Sequence, residues 1–548
     1  MIARGGRPRD WPGGDRTNWH FTSPQIRRKW LYGEMAVQIP IDRSKPIPLP
    51  RQIQAHLERL IHERLLAPGV KLPATRELAR ELGVNRSTVS FAYEELVASG
   101  LARAHVGQGT FVAGPVAGGV ELADGTGPGA LPAAIDWSGL LSRSARVSLG
   151  ERERRRLGAL PGRLPPGLIS FAGGMPDSAM FPTDAFRRVL NAVIREEGEE
   201  LLQYYPAAGY PPLRRFLSGY LLRFGVEALP DDILIVNGSQ QGFDLIARTL
   251  LDPGDVVAIE EPTYPRAMQV FRAFGARLAP VALGEDGPRP DALERAIERH
   301  APKFFYCQPS AHNPTGLTIS GDGRRRLLEV CARRRVAIVE DGFDGSLYYD
   351  ARPPAPLRAL DRRGLVIYIG TFSKILFPGL RLGWLVAPRP LLERLEAAKQ
   401  LADLQTSALI QAAVYHFCQR RLLERHLARI ADEYRRRQRR LLESLTRRMP
   451  RDVSWTEARG GFSLLLTLPE GLDATALLPR AVARGVAFTP GPAFFVEEGG
   501  ERALRLAFSA VPAARIDEGV RRLADAIRDS RRRPPARVES ERAAVPVV

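Results

Sequence analysis

Three cysteines, Cys307, Cys331 and Cys418, are all that this chain of 548 residues carries. Odd in number and far apart, they argue against a disulfide framework and against a metal site, and they read as buried free thiols. Long apolar runs are missing as well. No stretch approaches the roughly 20 apolar residues that cross a bilayer, and the basic N-terminus has no apolar core of the kind a signal peptide carries. The expectation is a soluble, cytoplasmic protein with no metal and no membrane partner.

What is present in excess is positive charge. The formal net charge is +18 and 44% of residues are hydrophobic. That fraction can fill large cores, and the length calls for two or more domains. Excess cations favour polyanionic partners, because neutralised phosphates release condensed counterions. Runs such as Arg333-Arg334-Arg335 and Arg435-Arg436-Arg437 fit solvated helix faces equally well, so charge by itself leaves nucleic acid open.

Residues 1–44 mix Gly, Pro and Arg without sustained periodicity and are expected to be a disordered leader, with Met35 a candidate for the true start. From Pro48 the pattern changes. Ile53, Leu57, Leu60, Ile61, Leu65 and Leu66 recur at helical spacing up to the stop at Pro68-Gly69. Thr75 is placed to cap a second helix carrying Leu78, Ala79 and Leu82, which Gly83 ends. A third helix begins near Asn85 and is expected to bury Val89, Tyr93, Leu96 and Val97. Two β-prone pieces, Leu101 to Ala104 and Thr110 to Val112, are joined by His105-Val106-Gly107-Gln108-Gly109. Helix, helix, short turn, helix and β-wing is the order of a winged helix-turn-helix, whose third helix enters the major groove.

Over about residues 48–113 the sequence resembles the GntR family of bacterial regulators. The matching strings are Pro-Gly-Val-Lys-Leu-Pro-Ala-Thr-Arg-Glu-Leu-Ala (68–79), Leu-Gly-Val-Asn-Arg-Ser-Thr-Val (82–89), Ala-Tyr-Glu-Glu-Leu (92–96) and Gly-Gln-Gly-Thr-Phe-Val (107–112). The resemblance implies that Arg76, Arg86, Ser87 and Thr88 face DNA, with Gly107, Gln108 and Gly109 bringing the wing to the backbone. The chemistry suits those places: Arg pairs two-pronged with guanine, hydroxyls reach bases or phosphates, and glycine allows close approach.

Gly, Pro and Ala dominate up to Pro132, and a helix-prone piece and the charged run Glu151 to Arg156 follow, so residues 115–165 read as a linker. From about 168 to 395, apolar runs at Ile233–Val236, Val256–Ile259, 303–307, 336–339 and 365–369 alternate with helix-length segments, the pattern of a mainly parallel sheet covered on both faces. Ligands in such sheets bind beyond the carboxyl ends of the strands. Those ends are polar in an informative way. Asn237-Gly238-Ser239-Gln240-Gln241-Gly242 opens a helix, where free amides suit a phosphate. Tyr264 offers a ring to stack, Asn313 in Asn-Pro-Thr-Gly an amide donor, and Asp341 an acid able to keep a pyridine nitrogen protonated. Thr371, Ser373 and Lys374 bring hydroxyls and a primary amine, and Arg381 a planar phosphate clamp.

In that order these parts resemble fold-type I aminotransferases over about residues 168–525. The resemblance implies pyridoxal 5′-phosphate (PLP), with Lys374 as its Schiff-base lysine and Asp341 as the partner of the ring nitrogen. Asn313 would bond the phenolic oxygen and Tyr264 stack on the ring, while Ser239, Gln240, Thr371, Ser373 and Arg381 would hold the phosphate. Tyr204 would reach the partner subunit's phosphate in a homodimer, and Arg505 would take a substrate carboxylate two-pronged.

The whole layout resembles the MocR subfamily of GntR regulators. The implied fold is an α/β chain: a winged helix-turn-helix (45–114), the linker (115–165), and an aminotransferase-like PLP domain (166–528). That last part has a mainly parallel large domain and an α+β small domain from about 400. A disordered tail is expected from 529 to 548. The implied function is a transcription factor that binds promoter DNA, assembles as a head-to-tail homodimer and responds to an amine, an amino acid or PLP. One string departs from the subfamily. Where many members have Asp-Asp-Tyr-Asp, this chain has Asp341-Gly342-Phe343-Asp344, and Phe343 has no phenol to offer the cofactor. Slow or absent transamination is therefore expected. An active aminotransferase with an accessory DNA-binding module is the alternative, and a fold that has lost PLP is a third reading.

Overall fold

The structure, a computed structural model, describes residues 30–32, 35–37, 39–43, 47–63, 65–105, 107–113, 137–142, 144–147, 167–342, 347–349 and 353–532. The chain divides into two compact units, 1–135 and 136–548.

In the first unit, helices Leu49–His62, Thr75–Leu82 and Arg86–Ala98 precede an antiparallel wing of Ala102–His105 and Gly109–Val112. Ile53, Leu57, Leu78, Val89, Ala92 and Leu96 are all but inaccessible, and full burial of an aliphatic side chain is worth about 1.5–3 kcal/mol. Tyr93 joins this core and donates its hydroxyl to Pro73 O at 2.9 Å. Several local expectations need correcting. The first helix stops at His62 because the N–H groups of Leu65 and Leu66 both turn back to Leu60 O, leaving Leu65 exposed. Ala74, not Thr75, occupies the cap position, and Thr75 is the first helical residue. Val97 is 37% exposed, because Val89, Ala92, Tyr93 and Leu96 already complete the inward stripe. Within the expected leader, the β-prone residues Trp30–Tyr32 and Met35–Val37 pair antiparallel. Ile39 and Ile41 pack on the helical core, and Arg43 donates to Gly83 O.

The second unit is built on an eight-stranded sheet. Its order is Ile233–Val236, Gly383–Val386, Val366–Thr371, Ala337–Asp341, Phe304–Cys307, Val256–Glu261, Arg277–Gly284 and Gly287–Pro288. All neighbours from Val366–Thr371 to Arg277–Gly284 run parallel, and Gly383–Val386 is antiparallel to both of its neighbours. The central strands are buried on both faces, as their unbroken apolar runs require. Cys307, Cys331 and Cys418 are free thiols buried in this unit. Helices Arg389–Asp403, Ala408–Gln419 and Leu422–Arg448 lead to a four-stranded antiparallel sheet containing Ser463–Thr467 and Ala503–Ala507. The last helix, Ala513–Arg532, runs past the expected start of the tail at Asp529. Its inward stripe of Val520, Leu523 and Ile527 continues to Ser530, which is buried. No helix among the described residues is long and apolar enough to cross a membrane.

Candidate functional site

Parallel strands in register bring their last residues to one edge of the sheet, and the polar residues gather there. Asp341 is buried at the end of its strand, and its Oδ2 accepts from the Tyr306 hydroxyl at 2.8 Å and from Gln308 Nε2 at 2.6 Å. Burial pushes Asp341 up to about 6, against the opposing pull of those two hydrogen bonds and of the Lys374 charge. Gln308 Oε1 accepts from the Asn313 N–H at 3.1 Å, so one side chain ties the acid to the Asn-Pro turn. Neither Tyr306 nor Gln308 takes a role from sequence reasoning. The register was the available signal: Cys307 lies opposite Glu340, which sets Gln308 opposite Asp341 once the pairing is continued by one residue.

Lys374 follows the strand Val366–Thr371, and its ammonium donates to Gly174 O at 3.1 Å. Burial, with the nearby Arg505 charge, lowers Lys374 to about 8. Only the neutral amine attacks a carbonyl, and the neutral fraction at pH 7 exceeds that of an ordinary lysine by roughly two orders of magnitude. The rate at which cofactor-free protein captures an aldehyde, followed by absorbance, is therefore expected to rise with pH and level off above about 8. A rise that continues toward pH 10.5 would show an ordinary lysine.

Arg505 is 2% exposed. It donates to Asn313 Oδ1 at 2.9 Å, Ala172 O at 2.8 Å, Thr489 Oγ1 at 3.2 Å and Gly173 O. Its guanidinium lies 5.0 Å from the Phe494 ring centre, and its Nε is buried with no hydrogen-bond partner among the described residues. No acidic side chain among the described residues pairs with it, and burial lowers it to about 10. A buried cation without a counter-ion is costly, and an anionic ligand relieves that cost.

The turn before helix Ser239–Leu250 forms the other wall. Gly238 adopts φ +75°, and its cap position offers no side-chain acceptor to the first helical N–H groups, at Ser239 and Gln240. Arg381 crosses this turn and donates to Asn237 O at 3.0 Å; a Cβ on Gly238 would sit 2.9 Å from its Nη2. The Thr371 and Ser373 hydroxyls bond to each other at 3.0 Å. Open helix amides, an arginine over a glycine, a low-pKa lysine and a buried acid fit a phosphate-bearing aldehyde on a pyridine ring. Tyr264 starts helix Pro265–Ala273 with its ring 6.3 Å from that of Phe243. Tyr204 is 83% exposed. Phe343 lies outside the described residues.

In the first unit Arg76, Arg86 and Ser87 are exposed and Thr88 half-buried, while Gly107, Gln108 and Gly109 form the exposed tip of the wing.

The fold and site define a class: a winged-helix DNA-binding module joined to an aminotransferase-type PLP domain. Residues 175–523 match the family described as aminotransferase class I and II, and residues 49–112 match bacterial regulatory proteins of the gntR family. The chain is 41% identical to 2-aminoadipate transaminase of Thermus thermophilus over 66% of its own length and 91% of the relative's. It is 31% identical to the Probable rhizopine catabolism regulatory protein MocR of Rhizobium meliloti, over 89% of this chain and 95% of that one. Among solved structures, LysN, an α-aminoadipate aminotransferase from Thermus thermophilus complexed with a phosphopyridoxyl-leucine, superposes with TM-score 0.66 and 37% identity, covering 72% of this chain and 99% of that chain. The chain belongs to the MocR subfamily of GntR-type regulators. It is a PLP-dependent, DNA-binding regulator.

Proposed function

We propose that this regulator senses an amine, an amino acid or PLP itself through the site around Lys374 and converts that binding into a change of promoter affinity. The observation that carries the reading is the pairing of a low-pKa amine with a buried guanidinium that has no acidic partner among the described residues. An amino acid brings the matching amine and carboxylate. In this reading Lys374 holds the cofactor covalently, Asp341 keeps its ring nitrogen protonated, Asn313 meets the phenolic oxygen and Tyr264 lies against the ring. Ser239, Gln240, Thr371, Ser373 and Arg381 hold the phosphate. When bound, PLP supplies an electron sink and an exchangeable aldehyde. Arg505 orients the effector carboxylate. An effector that binds two domain arrangements unequally shifts their populations, which is all that switching requires.

The exposed phenol of Tyr204 is assigned to the partner subunit's phosphate in a cytoplasmic, head-to-tail homodimer. Arg76, Arg86, Ser87 and Thr88 are assigned to the major groove and Gly107 to Gly109 to the backbone. Replacing Arg86 by alanine is expected to weaken binding to DNA from the gene's own upstream region by about tenfold to a hundredfold, measured by fluorescence anisotropy. The spectrum with PLP should not change. Unaltered affinity would remove Arg86 from the interface.

A second reading, an active aminotransferase with an accessory DNA module, is favoured by one observation: Asp341, Lys374 and Arg505 are all in place. Keto-acid formation over many turnovers would establish it. The regulator reading expects slow turnover or none.

A further inference from the structure

The wall assigned to the phosphate is braced from the helix Arg389–Asp403. Helix Arg389–Asp403 ends at Asp403, and Lys399, one turn earlier, is 0% exposed. The Lys399 ammonium donates to both carboxylate oxygens of Asp403, at 2.7 and 2.9 Å. Asp403 Oδ2 also accepts from the Asn237 side-chain amide at 2.5 Å and from Gln241 Nε2 at 2.7 Å. Gln241 Oε1 takes the backbone N–H of Asn237 at 2.7 Å. One carboxylate thus grips the turn on both sides of Gly238. Asn237 O carries the same link on to Arg381.

Beyond Asp403 the backbone changes direction sharply. Leu404 lies at φ +62°, ψ −56°, and the Gln405 N–H closes onto Asp403 O at 2.7 Å. A leucine at positive φ is strained and persists where its surroundings fix it. Gln405 then accepts from the Tyr205 N–H and reaches Gln203 O at 3.5 Å. Asp403 and Gln405, two residues apart, therefore hold the turn at 237–241 and the loop that bears Tyr204. An ion pair is not needed to end a helix, and burying a lysine is expensive unless its charge is fully paired. The placement makes sense if the turn must be rigid.

We propose that Lys399 and Asp403 are positioning residues for the cofactor phosphate: they fix Asn237–Gly238–Ser239 and, through Asn237, Arg381. The proposal rests on the assignment of that turn to the phosphate. It is tested with the full-length protein carrying Asp403→Ala or Asn237→Ala, titrated with PLP and with pyridoxal, which lacks the phosphate, and followed by the absorbance of the lysine-bound form. Asn237→Ala leaves the buried ion pair intact, so it decides the matter even if Asp403→Ala does not fold. In both variants the dissociation constant for PLP is expected to rise about tenfold, the low end for one hydrogen bond to a charged group, and that for pyridoxal less than about twofold. Equal weakening toward both compounds, or no weakening in Asn237→Ala, overturns the proposal. A parent protein that shows no absorbance with either compound would instead overturn the assignment beneath it.

Discussion

With Lys374 replaced by alanine, the full-length protein mixed with PLP is expected to show none of the visible absorbance of a lysine-bound cofactor. The reason is chemical rather than steric. Lys374 brings an amine, lowered to about 8, to the strand edge where Asp341 waits. Alanine removes the nucleophile and leaves the rest of the pocket standing. Among the described residues Lys374 makes one hydrogen bond, to Gly174 O, and a 4.0 Å contact to the Met175 sulfur, so the fold should survive its loss. Circular dichroism and effector-free promoter binding should match the parent. What disappears with the absorbance is the response of DNA binding to added amine. A variant that keeps the absorbance would place the covalent bond on another lysine.

Replacing Arg505 by leucine should separate the carboxylate from the amine. The amino-acid concentration needed to perturb the bound cofactor's spectrum is expected to rise about a hundredfold, the usual size for losing one partner of a buried charge pair. Amines that lack a carboxylate should act on parent and variant alike. PLP binding should weaken only modestly, because among the described residues Arg505 bonds to no phosphate-wall residue and its one link to the cofactor-holding side chains is the bond to Asn313 Oδ1. An equal loss for amines and amino acids would mean that Arg505 holds the pocket's shape and does not read the ligand.

Much of this was legible in the sequence because apolar strands end abruptly in polar residues, and a parallel sheet sends those ends to one edge. Asp341, Lys374, Asn313 and Gly238 announce themselves in that way. The strand Arg277–Gly284 was not legible, since Pro280 in its middle argues against a ladder position, and it lies next to the edge of the sheet where such a residue is tolerated. Gly383–Val386 was hidden for another reason: four residues so soon after Arg381 read as part of the site segment, yet they enter the sheet antiparallel. Tyr306 and Gln308 became visible only with the strand register. Lys399 and Asp403 read as an ordinary helical pair, because their partners at Asn237 and Gln241 lie more than 160 residues away.

The regulator couples, within one chain, an aminotransferase-type site to DNA. A single titration probes that coupling: PLP-loaded, full-length protein is held with its promoter fragment while an amino acid is added, and DNA affinity and keto-acid formation are recorded together. The expected outcome is a shift in DNA affinity that saturates with the amino acid, vanishes in Lys374→Ala, and comes with little or no keto acid. Steady keto-acid production with unchanged DNA affinity would contradict the regulator reading.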